Sequence, residues 1–145
     1  MKEILFACTG NTCRSPMAQA LFAAILKEKD LEGRFSGKSA GLSVVPGSEL
    51  SANSALALAE VGLALPDFIP TQLTPAMVAE ADTVLVMTGQ HRAVLAAALP
   101  EQAQKIQVLG EGIPDPYGGD LAAYRRCRDA IRKALEEWLE GEAAC

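Results

Sequence analysis

The sequence predicts an α/β protein, a parallel sheet covered by helices on both faces. Strand-length apolar runs alternate with helix-period stretches from one end to the other, the pattern of strands joined by helical crossovers. No internal repeat, linker or low-complexity segment interrupts that alternation. The length, 145 residues, suits one domain with its own core. The expected domain is therefore 1–145.

The elements follow in order. "KEILFA" (2–7) is a short apolar strand. Pro16 suits the first position of a helix over 16–29. "RFSGKSAG" (34–41) gives a second strand, closed by Gly41. Ser51 is placed to N-cap an alanine-rich helix that ends near Gly62. Thr74-Pro75 opens another helix, and "DTVLVM" (82–87) is a compact buried strand. A helix over 89–98 stops before Pro100, and "KIQVLG" (105–110) supplies the last strand. The loop "EGIPDPYGGD" (111–120) then leads into a final helix with Leu121, Tyr124, Cys127, Ile131, Leu135 and Trp138 at apolar spacings of three or four. The other faces of that helix carry Arg125, Arg126, Arg128, Arg132 and Lys133, which read as a solvated surface.

Composition narrows the function classes. Half the residues are hydrophobic and 21% are charged, an ordinary globular profile. A formal net charge of −5 argues against general affinity for nucleic acid or an anionic membrane. No apolar run reaches the roughly 20 residues of a membrane span, and "MKEILFAC" reads as a strand, not a secretory signal. The expectation is a cytoplasmic protein, a monomer, whose four cysteines are free thiols.

The chemistry concentrates in "CTGNTCRS", residues 8–15. Open parallel sheets bind ligands beyond the carboxyl ends of strands, where this segment falls. Backbone N–H groups and the positive end of the following helix make an anion site there. Gly10 and Asn11 both tolerate the left-handed backbone that lets the loop curl. Thr9, Gly10, Asn11, Thr12, Cys13 and Ser15 are the candidate phosphate-binding positions. Arg14 adds guanidinium donors to a tetrahedral oxyanion. The same field favours the thiolate of Cys8, which becomes a nucleophile aimed at the bound anion, and Ser15 can donate a hydrogen bond to it. The loop lacks the Gly-Lys-Ser/Thr ending of a nucleotide P-loop. With one histidine and no second cysteine cluster nearby, it does not read as a zinc site.

Cys-x5-Arg-Ser directly after a single strand resembles the signature of the low-molecular-weight protein-tyrosine-phosphatase family. "IPDPYGGD" supplies the family's second motif as Asp115-Pro116. The resemblance covers essentially the whole chain, "SAG" at 39–41 and "DTVLVMT" at 82–88 included. It implies a four-stranded parallel sheet flanked by helices, with a phosphate-binding loop after the first strand. It also implies a two-step phosphatase reaction on phosphorylated protein substrates, without metal or cofactor. Cys8 would be the nucleophile, Arg14 the stabiliser of transition-state charge and Asp115 the general acid. Asn11 and Ser39 would hold the curled loop.

Thr12 and Tyr117 bear on the substrate. Family members acting on phosphotyrosine carry an aliphatic residue where this chain has Thr12, and often two aromatics where it has Tyr117 and then Gly118-Gly119. "CTGNTCRSPMA" and "DPYGG" together look like the bacterial protein-arginine-phosphatase branch. A threonine hydroxyl can accept from a guanidine N–H, and Tyr117 can wall the pocket for either ligand. Phosphoarginine is the expected substrate, with phosphotyrosine the alternative. Arsenate reduction would need two further cysteines in mid-chain, and 60–110 contains none. A non-catalytic phosphate-binding module could dispense with Cys8 or Asp115, and both are present.

Two readings of Cys13 stand: a redox partner that forms a reversible disulfide with Cys8, or a small buried hydrophobe. Cys127 belongs to the apolar stripe of the last helix, and Cys145 at the chain end has no expected role. His91, the only histidine, reads as a surface residue at a helix start.

Overall fold

The computed structural model describes residues 1–143, so the expectation for Cys145 lies outside the described residues. Four strands, β1 (Lys2–Cys8), β2 (Phe35–Gly41), β3 (Thr83–Val86) and β4 (Ile106–Val108), form one sheet in the order β2-β1-β3-β4. All three pairings are parallel, with Cys8 opposite Gly41 and Ala7 opposite Val86 at the carboxyl end. The helices are α1 (Arg14–Glu28), α2 (Ala52–Ala59), α3 (Pro75–Glu80), α4 (Gly89–Ala98) and α5 (Leu121–Ala143).

Alternation along β1 explains the layering. Successive side chains of a strand point to opposite faces, so Ile4, Phe6 and Cys8 join one core with α1, α2 and α5. Leu5 and Ala7 join the other, with Val78 ahead of β3 and Leu95 of α4. From Ile4 to Cys8 both faces of the strand are dry, and that stretch is accordingly a continuous apolar run. Phe22 of α1 meets Phe6 edge-on at 5.3 Å and Phe35 at 6.4 Å, and Trp138 of α5 closes the group at 6.3 Å from each of Phe22 and Phe35. Gly37 is glycine for the same reason: a Cβ there would lie 2.8 Å from the Phe22 ring.

The expected element types hold, with shifted ends. Helix α1 begins at Arg14, two residues before Pro16, because the loop already takes helical geometry there. Ser51, Thr74 and Thr88 cap α2, α3 and α4, each accepting from a backbone N–H three residues on. A 3-10 turn over Pro100–Lys105 precedes β4, whose strand core is only Ile106–Val108. Among the described residues, no helix is long and apolar enough to cross a membrane.

The basic face of α5 is not simply solvated. Arg125 and Arg128 both bond the Glu60 carboxylate, just past α2, at 2.6–2.9 Å, and Arg128 also donates to the Ala57 carbonyl. Arg132 reaches Glu28 at the end of α1 at 2.6 Å. Three of the five charges therefore tie α5 to its neighbours. The reason is geometric: the long side chains span from the buried stripe to the ends of adjacent helices.

The Arg125 hydrogen bond, reinforced by Arg128, lowers the Glu60 pKa from its ordinary 4.5 to about 2. A depressed folded-state pKa gives stability that is present above the unfolded value and lost as pH falls through the folded one. The stability difference between wild type and Glu60→Gln should thus be largest above pH 4.5 and shrink toward pH 2. Urea unfolding across that range checks it.

Candidate active site

The chain leaves β1 for β2 on one side and returns past β1 to β3 on the other, so the loop after Cys8 occupies the switch point of the sheet. The loop is built around Asn11. This residue is fully buried and takes the left-handed conformation, φ 57°; Gly10, a candidate for that role from sequence, does not. The Asn11 Nδ2 donates to Ser15 Oγ at 2.8 Å and to Ser39 Oγ at 3.0 Å, and its Oδ1 accepts from the Thr71 N–H at 2.9 Å. Ser39 in turn donates to Gln19 Oε1 at 2.6 Å. Ser39 thus links the loop's central residue to α1.

The loop carbonyls point outward. Thr9 C=O accepts from the Ser43 N–H at 2.9 Å, and Thr12 C=O accepts from the Ser51 N–H at 3.0 Å and the Ser54 hydroxyl at 3.3 Å. Among the described residues, no acceptor takes the backbone N–H groups of residues 9–15. A curved row of unpaired amides at a helix N-terminus attracts an anion. Gly41 permits the curl by close approach, since a Cβ there would lie 2.8 Å from the Thr9 carbonyl oxygen and 3.0 Å from the Asn11 nitrogen.

Cys8, 3% exposed, sits below this row with its Sγ 2.9 Å from Ser15 Oγ. Asn11 already donates to that hydroxyl, which leaves the single Ser15 O–H to point at the sulfur. Arg14 is buried, and its Nη1 donates to the Ile113 carbonyl at 2.9 Å. Its Nη2 stands 3.7 Å from Asp115 Oδ2. The Tyr117 N–H bonds the other Asp115 oxygen at 3.0 Å, so the 111–120 loop arches back over the cradle. Asp115 itself is half exposed. A cleft of ≈ 850 Å³ opens between, lined among others by Cys8, Thr12, Arg14, Asp115 and Tyr117. Tyr117, 80% exposed, lines the cleft at its rim.

The remaining thiols separate cleanly. Cys8, Cys13 and Cys127 are free and buried. Cys13 faces the Tyr124 hydroxyl at 3.5 Å, and burial pushes that phenol up to about 12. Burial likewise raises the Cys127 thiol to about 12, as expected of a core thiol. His91 departs from its expected surface position. It is buried, and its Nε2 lies 2.9 Å from Thr9 Oγ1. It follows β3 directly at the carboxyl edge of the sheet, a signal that could have marked it. Gln19, Thr71, Ser51 and Ser54, which hold the loop from behind, carried no such signal, because ordinary polar residues join a site only through the fold.

An α/β sheet whose first loop cups a cysteine in unpaired amides, answered by an aspartate from a distant loop, defines the class of cysteine-centred phosphate-loop proteins. Within it, the chain belongs to the low molecular weight phosphotyrosine protein phosphatase family, whose model matches residues 3–144. It is 37% identical to the protein-arginine-phosphatase of Geobacillus stearothermophilus over 145 aligned residues, covering 95% of this chain and 94% of that protein. The protein-arginine-phosphatase of Bacillus subtilis is 34% identical over 142 residues, with 93% of each chain covered. A solved YwlE arginine phosphatase, a cysteine-to-serine mutant with a phosphorylated active-site serine, superposes with a TM-score of 0.89 at 32% identity, over 96% of this chain and 94% of that one.

Gly41→Ala should force the Thr9 carbonyl aside and lower stability by about 1–3 kcal/mol, as overpacking does. Urea unfolding of the variant beside wild type measures it.

Proposed function

We propose that this chain is a protein phosphatase that hydrolyses phosphoarginine through a phosphocysteine intermediate. The observation that carries the reading is the row of unpaired N–H groups over Cys8, with Arg14 and Asp115 on its open side. The likeness to proteins named protein-arginine-phosphatase supports the choice of substrate.

In the first step the Cys8 thiolate attacks phosphorus and the P–N bond breaks. The Asp115 carboxyl gives its proton to the departing guanidine nitrogen. In the second, the Asp115 carboxylate takes a proton from water, the water oxygen bonds to phosphorus, and the S–P bond breaks to restore the thiolate. The amides of residues 9–15 and the free face of Arg14 meet the equatorial oxygens in both transition states. The hydrogen bond from Ser15 stabilises the sulfur as it attacks and as it leaves. No step calls on a metal or cofactor.

Thr12 selects the leaving group. Its carbonyl is fixed by Ser51 and Ser54, and its half-buried side chain lines the cleft, where the hydroxyl can accept from a guanidine N–H. Tyr117 at the rim contacts the protein substrate beyond the phosphorylated side chain. The reading also places the enzyme in the cytoplasm, as a monomer, a setting that suits three free buried thiols.

Phosphate release from matched phosphoarginine and phosphotyrosine peptides tests the proposal. Wild type should prefer phosphoarginine, and Thr12→Ile should shift that preference toward phosphotyrosine. Cys8→Ser should lose release by at least about a thousandfold, and Asp115→Asn by about 10²–10⁴. A wild-type preference for phosphotyrosine would overturn the arginine assignment and leave a tyrosine phosphatase. No release from either, with orthophosphate still bound, would leave a binding module.

A further inference from the structure

His91 is a buried titratable side chain beside the phosphate loop to which the proposed reaction gives no part. Its backbone is fixed, because its N–H donates to the Thr88 hydroxyl that caps α4. Its ring crosses to the loop after β1, with Nε2 2.9 Å from Thr9 Oγ1. The second ring nitrogen, Nδ1, is buried and has no hydrogen-bond partner among the described residues. An N–H buried without an acceptor is the costlier orphan, so the ring proton belongs on Nε2. His91 then donates and Thr9 accepts.

We propose that His91 is a positioning residue of this site: its Nε2–H, bonded to Thr9 Oγ1, fixes the Cys8–Thr9–Gly10 turn so that its amides face the bound anion. The inference rests on the anion-binding reading of the cradle given above. Thr9 is the hinge of that turn, held from the β2 side by the Ser43 N–H on its carbonyl and from the β3 side by His91. Remove the second restraint and the peptide planes flanking Thr9 can tilt, although Cys8 itself stays anchored in β1.

The surroundings keep the ring neutral. Burial comes first in holding its pKa below the ordinary value, the Arg14 guanidinium adds to it, and Asp115 opposes. Arg92, the next residue on α4, turns away to the Ile106 carbonyl. A neutral ring has a single N–H to place, and Thr9 Oγ1 is its acceptor.

The chain has a single histidine, so its ring 15N signals are unambiguous, and they should report Nε2 as the protonated nitrogen. Titration calorimetry with orthophosphate then reads the positioning directly. His91→Phe should weaken binding by about tenfold, the worth of one well-placed hydrogen bond, and His91→Gln, which keeps an N–H near the Nε2 position, should restore most of it. Thr9→Val cuts the same bond from the exposed side of the loop; it should lower affinity with an unchanged urea midpoint and add nothing to His91→Phe in the double mutant. Thr9→Val also takes a hydroxyl from the cleft, so the double mutant separates that loss from loss of the His91 bond. If His91→Phe unfolds, His91→Leu, which cuts the same bond with a smaller side chain, takes its place in the pair. Wild-type affinity in Thr9→Val, multiplying effects in the double mutant, or a proton on Nδ1 would overturn the proposal. Orthophosphate binding without turnover of either phosphopeptide would sink the phosphatase reading alone.

Discussion

One buried asparagine holds the site together. Asn11 occupies a backbone conformation that non-glycine residues seldom adopt, and its amide makes three hydrogen bonds, to Ser15, Ser39 and the Thr71 N–H. Each partner comes from a different element: α1, β2 and the segment between α2 and α3. The side chain thus fastens the loop to three walls at once. With the loop curled about that point, its carbonyls reach outward to serines 43, 51 and 54, and its amides turn inward. Every unpaired donor of the cradle is a consequence of where Asn11 sits.

The electrostatics follow from this arrangement. Arg14 is buried because α1 starts inside the curl, and its bond to the Ile113 carbonyl uses one nitrogen and steers the rest of the guanidinium toward the cleft. That same carbonyl begins the loop bearing Asp115, so the residue that binds the anion also locates the acid. Ser15 is shared between the loop's scaffold and the nucleophile, accepting from Asn11 and donating to Cys8. Structure and proposed chemistry therefore run through the same few hydrogen bonds, and polar networks of this kind depend on every member being satisfied.

The layout of strands and helices was legible in the sequence because it rests on local signals. The apolar run 4–7, the caps at Ser51, Thr74 and Thr88, and the stripe along α5 are each complete within a few residues. Cys8 and Arg14 stood out through their spacing and setting, and Asp115 through the resemblance that the first motif carries. What escaped were interactions that exist only after folding. His91 meets a residue 82 positions away, and Arg125 and Arg128 meet Glu60 across 65 and 68 positions. A histidine or an arginine on a helix looks the same in sequence whether it is solvated or turned toward a neighbour. The choice between Gly10 and Asn11 for the left-handed residue was likewise a tertiary decision, made by the three partners waiting for the asparagine amide.

The most direct test is to follow the backbone amides of residues 9–15 by NMR as orthophosphate is added to wild type and to Asn11→Ala. Wild type should show large shifts confined to this segment at low phosphate. The variant should remain folded, lose about 1–3 kcal/mol, chiefly for the Thr71 N–H left without its acceptor, and need at least about tenfold more phosphate for the same shifts. Wild-type phosphate affinity in a folded Asn11→Ala protein would contradict the account, because the cradle would then form without the residue that is held to build it.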